Sequence, residues 1–299
     1  MSNCNLCGHG KFEKIADKLR DSDKHKISKC LSCGHIQLLP RPKVDEEKQF
    51  YDEDRQEKSI RKEVNLKSLG DNFKPDINRR ADFISSRFPK NMTILDVGCG
   101  YGFFLEEMAQ RGYRIKGIEI SRERRELAKT VTNVPILDIN LAEPHVNVNI
   151  EQADIITVFH VLEHIINPTD FCRNISKLLR KEGCLIVEVP NVDELMLETC
   201  PAYNKFYWNR AHLNYFGRKT LTTVLKKAGF RKVEVMYIQR YGIENLCNWL
   251  ITGKPQIKKP VFEISGPYRW LENYYRGHLA EIGRTDTLFA IACSNQPRN

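Results

Sequence analysis

The 299-residue chain has no window approaching 18 consecutive apolar residues, so a membrane-spanning helix is excluded by the length a bilayer demands. Its first residues, Met-Ser-Asn-Cys-Asn-Leu-Cys, lack an apolar run. No standard secretory leader is therefore expected, and a cytoplasmic location is. Aromatic residues are scarce at this end: Phe12 is the only Phe, Tyr or Trp in residues 1–43. That stretch thus offers no platform for stacking nucleic-acid bases. Global disorder is excluded too, because 41% of the residues are hydrophobic and only 28% charged, enough to build a core. Ten cysteines without an export signal argue against a disulfide framework and for reduced thiols and metal ligands.

Charge is present but uneven. The chain carries net +9; residues 1–43 contribute +5, residues 200–299 contribute +10, and the middle is acidic. No long Lys/Arg block stands out. Basic flanks serve solubility, or they grip an anionic substrate.

The cysteines begin as a pattern. Cys4-x2-Cys7 is followed after 22 residues by Cys30-x2-Cys33, and a glycine follows each pair, Gly8 and Gly34. Two such knuckles set four thiolates around one Zn²⁺. His9 and His35 are spare, since four cysteines close the shell and leave no position for water; the zinc is expected to be structural. So short a module draws much of its folding energy from the metal.

The spacing divides the chain into a zinc-binding module at 1–43, a charged connector with short helices at 44–77, and a main domain at 78–299. Pro40-Arg41-Pro42 breaks the first boundary. A helix from Asn78 to Phe88, stopped by Pro89, leads into the main domain. From Thr93 onward strand, loop and helix alternate: strands at Thr93–Val97, Ile115–Ile120, Pro135–Asp138, Ile155–Phe159 and Cys184–Val189, and helices at Phe103–Gln110 and from Thr169 or Asp170 to Leu179, with Gly183 at that helix's end. This alternation predicts an α/β fold with a parallel sheet covered by helices. A further helix at Arg218–Ala228, a strand at Val233–Ile238 and a last strand at Thr287–Ala292 follow. Residues 239–286 exceed an ordinary loop and should form a helical insertion. Its Trp249, Trp270, Tyr274 and Tyr275 are read as packing residues before sugar-stacking ones.

The glycine loop after the first of these strands departs from the dinucleotide fingerprint G-x-G-x-x-G, because Phe103 stands where the third glycine belongs. The run Asp96-Val-Gly98-Cys-Gly100-Tyr-Gly102 instead resembles the first motif of class I S-adenosylmethionine (SAM)-dependent methyltransferases. Glu119, 21 residues after Gly98, closes the second strand, and Asp138-Ile139 closes the third. Phe159-His160-Val-Leu-Glu163-His164, Val189-Pro190-Asn191 and His212-Leu-Asn-Tyr215-Phe216 resemble the zinc-headed methyltransferases of bacterial sugar and polysaccharide pathways. The resemblance implies a Rossmann-like seven-stranded sheet with its last strand antiparallel. It implies SAM bound by Asp96, Gly98, Gly100, Gly102, Glu119, Asp138, Ile139 and His160, with Glu119 accepting both ribose hydroxyls.

The Asp/Asn-Pro-Pro-Tyr motif that many methyltransferases use on nitrogen is absent. A hydroxyl acceptor needs a base, and histidine serves near neutral pH. His212 and His164 are the candidate catalytic bases. Glu163 with His164 is alternatively a helix-capping pair or a site for Mg²⁺ or Mn²⁺. Cys200-Pro201 reads as an ordinary loop cysteine. The expected reaction is O-methylation of a sugar, nucleotide sugar or surface-glycan intermediate, an anionic small-molecule or glycan acceptor. C-methylation of a keto-sugar, and RNA methylation with nucleic acid held by the zinc module, are the alternatives.

Overall fold

The computed structural model describes residues 3–43, 46, 65–143, 146, 149–256 and 266–293. The expected connector helices around Phe50-Tyr51 lie outside the described residues. Eleven strands are described. Three belong to the N-terminal segment, β1 (Phe12–Ala16), β2 (Lys26–Cys30) and β3 (Ile36–Leu39), and they pair antiparallel in that order with β9 (Asn214–Tyr215). The others are β4 (Thr93–Val97), β5 (Arg114–Ile118), β6 (Ile136–Leu137), β7 (Ala153–Phe159), β8 (Leu179–Pro190), β10 (Lys232–Ile238) and β11 (Thr287–Cys293). They form one seven-stranded sheet in the order β10-β11-β8-β7-β4-β5-β6, with the last strands antiparallel, as expected for the final one.

The chain gathers into two compact units. One holds Met1–Arg41, Glu188–Thr223 and Val235–Phe289; the other holds Pro42–Val187, Val224–Glu234 and Ala290–Asn299. In the second unit β4 pairs in parallel with β5 and β7. Ile94, Leu95, Val97, Ile115, Ile118, Ile155, Ile156 and Val158 are all buried there. Near-continuous burial along a strand is the mark of a parallel sheet covered on both faces. Helices α1 (Leu66–Arg87), α2 (Phe103–Gln110), α3 (Arg122–Ala128) and α4 (Pro168–Lys177) belong to this unit. In the first unit, α5 (Met196–Thr199), α6 (Pro201–Tyr207) and α8 (Ile243–Thr252) enclose a small core. Met196, Cys200 and Trp249 are buried against Ala202, Tyr203, Phe206 and Leu246. Helix α7 is Arg218–Lys227 and α9 is Arg269–Glu281, so the long insertion is helical at α8 and α9.

Four expectations are corrected. The helix entering the main domain does not start at Asn78. It runs continuously from Leu66 through Pro75 to Arg87, capped by Asn65, whose side chain accepts from Ser68 N–H at 3.0 Å. Proline forfeits one backbone bond, but the buried stripe Leu69, Ile77, Ala81 and Ile84 holds the helix across it. Helix α4 starts at Pro168 after Asn167, not at a Thr169 or Asp170 cap, because proline suits a first helical position. Gly183 lies inside β8 rather than ending a helix. A Cβ there would stand 2.9 Å from the Arg180 carbonyl oxygen and 3.0 Å from that of Asp154, so the close approach demands glycine. Finally, two of the ten cysteines are not free thiols: Cys184 and Cys293 form a disulfide between β8 and β11.

Candidate functional site

In the second unit, strand β4 runs directly into the glycine loop. Gly98 has φ 77, and a Cβ on it would lie 2.3 Å from Val161 Cγ2, so both backbone and space require glycine. Gly98 and Cys99 N–H both donate to the Ile118 carbonyl at the end of β5, at 2.7 and 3.0 Å. Glu119 follows that strand end and is buried. Its Oε2 accepts from Gly100 N–H at 2.9 Å and its Oε1 from Ser121 N–H at 2.8 Å. One carboxylate thus ties the loop to the start of α3, where Ser121 is the N-cap. A Cβ on Gly100 would meet nothing within 4 Å, so the space over the loop is open. Gly102 caps α2.

Asp96 is sealed beneath this loop. Thr157 Oγ1 donates to it at 2.6 Å. Burial raises its carboxyl to about 6 despite that bond and the nearby Arg80. Asp138 is exposed and accepts both Nη atoms of Arg125, at 2.9 and 2.6 Å. The same guanidinium bonds the Glu119 and Ile120 carbonyls, joining the β5 and β6 ends; Ile139 is half-buried beside Asp138. Thr157 and Arg125 carry no motif and escape a sequence reading. His160, directly after β7, holds φ 55, a strained conformation for a non-glycine residue. Its Nδ1 lies 3.2 Å from Oε1 of the buried Glu163, and His164 Nε2 lies 3.9 Å from the same oxygen. These three side chains are brought together within one unit, Glu163 and His164 on the single turn Leu162–His164 and His160 just before it.

His212 belongs to the first unit. Its N–H donates to Asn209 Oδ1 at 3.1 Å, and Tyr215 OH both accepts from Asn209 N–H and donates to the Asn209 carbonyl. The His212 and Tyr215 rings are 5.7 Å apart. Asn209 is therefore the keystone of this loop, and no sequence spacing points to it.

The four cysteines converge as their spacing predicts. Their sulfurs all lie within 4.8 Å of one another, with Cys4–Cys33 at 3.6 Å and Cys7–Cys30 at 3.5 Å. A tetrahedral zinc–thiolate centre has sulfur–sulfur edges of about 3.8 Å. The knuckles are twins. Gly8 N–H donates to the Cys4 carbonyl and Gly34 N–H to that of Cys30, at 2.8 and 2.9 Å. Both glycines turn at positive φ, 78 and 76. Burial, then the adjoining Cys7 and Cys4 sulfurs, raise the Cys33 thiol. His35 is not a fifth ligand: its Nε2 donates to Asn214 Oδ1 at 3.1 Å, and burial lowers the ring to about 4, leaving it neutral at pH 7.

Other singled-out side chains divide. Trp249 packs, as expected, in the core of the first unit; Cys200, read as an ordinary loop cysteine, is buried in that core between α5 and α6. Trp270 and Tyr274 do not; they stand 66% and 67% exposed on α9.

Residues 51–235 match the family described as a methyltransferase domain. The chain belongs to that family. The methyltransferase domain is 28% identical over 130 residues to a ubiquinone biosynthesis O-methyltransferase of Pelagibacter ubique, covering 43% of this chain and 53% of that one. It is 34% identical over 110 residues to the protein of that name from Haemophilus ducreyi, covering 33% and 45%. The chain spans about half the length of the curated relatives it matches. Its fold is similar to a SAM-dependent methyltransferase from Archaeoglobus fulgidus, with TM-score 0.50, 16% identity, and coverage of 73% and 94%. It is also similar to the plantazolicin methyltransferase BpumL solved with SAH, with TM-score 0.52, 15% identity, and coverage of 84% and 94%. At such identities these structures speak for the fold.

Proposed function

We propose that this chain is a SAM-dependent methyltransferase that methylates oxygen on a small anionic acceptor, with a sugar, nucleotide sugar or glycan intermediate as the substrate class. One observation carries the reading: a buried carboxylate at the β5 end, Glu119, holds the glycine loop by Gly100 N–H, and the space over Gly100 is open. A carboxylate has about four lone-pair sites, so Glu119 keeps acceptors for ribose hydroxyls after receiving two backbone N–H groups. Asp96, Gly98 and Gly102 shape the loop, Asp138 and Ile139 border the adenine side, and His160 lies at the β7 end. SAM, when bound, supplies a methyl group on a sulfonium as the electrophile. What remains for the chain is to align the acceptor, exclude water and take a proton.

His212, with His164 as the second candidate, takes the acceptor's proton. The absence of Asp/Asn-Pro-Pro-Tyr and the O-methyltransferase names of the matched relatives support oxygen over nitrogen. Net +10 in residues 200–299 supports an anionic acceptor. Cys4, Cys7, Cys30 and Cys33 hold a structural zinc.

The test is mass spectrometry of reactions with methyl-labelled SAM against nucleotide sugars, glycan extracts and RNA. Label on a sugar hydroxyl is the expected result. Label confined to RNA, or to a carbon, would overturn the acceptor assignment.

A further inference from the structure

The loop that carries His212 is gripped on both sides by the four-cysteine head. Before His212, Arg20 N–H donates to the Trp208 carbonyl at 3.1 Å, and Arg210 N–H donates to Asp21 Oδ1 at 2.8 Å. After it, Leu38 N–H donates to the Leu213 carbonyl at 3.0 Å, and β9 pairs with β3 through Gln37 with Asn214 and Ile36 with Tyr215. The grip reaches the knuckles themselves. Asn5, between Cys4 and Cys7, donates from Nδ2 to Asn214 Oδ1 at 2.6 Å. His35, two residues after Cys33, donates from Nε2 to the same oxygen at 3.1 Å. Asn214 is fully buried, so its Oδ1 has no water to replace these donors if they leave.

We infer that the metal head is a brace for the His212 loop, with Asn214 as the positioning residue that couples metal occupancy to the geometry of that loop. The inference rests on the zinc and proton-acceptor assignments made above. A metal-free module this short loses its fold. Asn5 and His35 then leave Asn214, β3 no longer offers β9 an edge, and residues 208–216 lose their order. A two-residue strand cannot hold itself without that partner. The head would thus govern the acceptor side of the enzyme without contributing a catalytic group, and cofactor binding at the glycine loop would be spared.

Hydrogen exchange followed by mass spectrometry on the full chain tests this, comparing zinc-loaded with zinc-stripped protein. Stripping should speed exchange of residues 208–216 roughly tenfold or more, together with the head, while residues 93–118 keep their protection. Asn214→Leu, with zinc content verified as one per chain, should loosen 208–216 to a similar degree. Asn214→Asp retains the acceptor and should restore protection. Should Asn214→Leu fail to fold, the stripping experiment and Asn214→Asp still decide. Persistence of 208–216 protection after stripping, or protein that lacks metal yet has that loop protected, overturns the brace. SAM binding measured separately by calorimetry reports on the functional reading; its failure leaves the exchange result standing.

Discussion

Replacing Glu119 by alanine strikes two things at once, and the structure separates them. Each backbone N–H bond to the carboxylate, from Gly100 at 2.9 Å and from Ser121 at 2.8 Å, is charge-assisted. Such bonds contribute about 1.5–3 kcal/mol each, so the two together amount to about 3–6 kcal/mol before water refills the space. On the proposed function, ribose hydroxyl bonds are lost in addition. SAM affinity should fall on the order of 10–100-fold, equivalent to about 1.4–2.7 kcal/mol, from the ribose bonds alone, and further if the loop must be reordered on binding. Calorimetric titration with SAM well below the melting temperature measures the affinity. Amide exchange at Gly100 and Ser121 in the ligand-free protein measures the anchoring. Glu119→Gln keeps one carbonyl acceptor but turns an NH2 group toward the other backbone donor, so it should fall between wild type and alanine. Unchanged SAM affinity in Glu119→Ala would remove this residue from the cofactor site. Unchanged amide exchange would show that the loop does not depend on it.

Gly98→Ala should cost about 1–3 kcal/mol in a denaturant titration, because its Cβ meets Val161 Cγ2 at 2.3 Å. Adding Val161→Ala should recover the steric part and leave the cost of the positive φ; no recovery would refute the clash. Asp96→Asn should raise stability with a set pH dependence. Burial holds the folded carboxyl at about 6 against its ordinary 3.8, so the native state binds more protons between roughly pH 4 and 6. Wild-type stability falls as pH rises through that window, and the variant's advantage should grow from near zero below pH 4 to about 3 kcal/mol above pH 6. A pH-independent difference would show that Asp96 is not desolvated. Elemental analysis should find one zinc per chain, and Cys30→Ser should abolish it and unfold the head; metal-replete protein without zinc would refute the four-thiolate assignment.

What could be read from the sequence was what local pattern encodes. Strand β4 and helix α2 fall on the expected residues, because a five-residue apolar run followed by glycine and a short amphipathic stretch carries its own signal. The insertion is helical, as its length demanded, and the four cysteines meet because paired knuckle spacing is a local device. The start of α1 before Asn78 was not legible, because the buried face that carries the helix across Pro75 becomes visible only once it packs. The disulfide of Cys184 with Cys293 spans a sequence separation of 109, which no spacing rule reaches.

By itself the sequence determined the α/β class, the glycine loop with its following acid, and the paired cysteine knuckles, since each rests on residues close along the chain. Only the tertiary structure decided how they are held. It set Glu119 against Gly100, buried Asp96 over Thr157, joined Arg125 to Asp138, and made Asn214 answer to Asn5 and His35. Each of these bonds joins groups from different elements. A hydrogen bond between distant residues depends on where the backbone has already been carried, and a sequence encodes that path through its whole core rather than at the residues that meet.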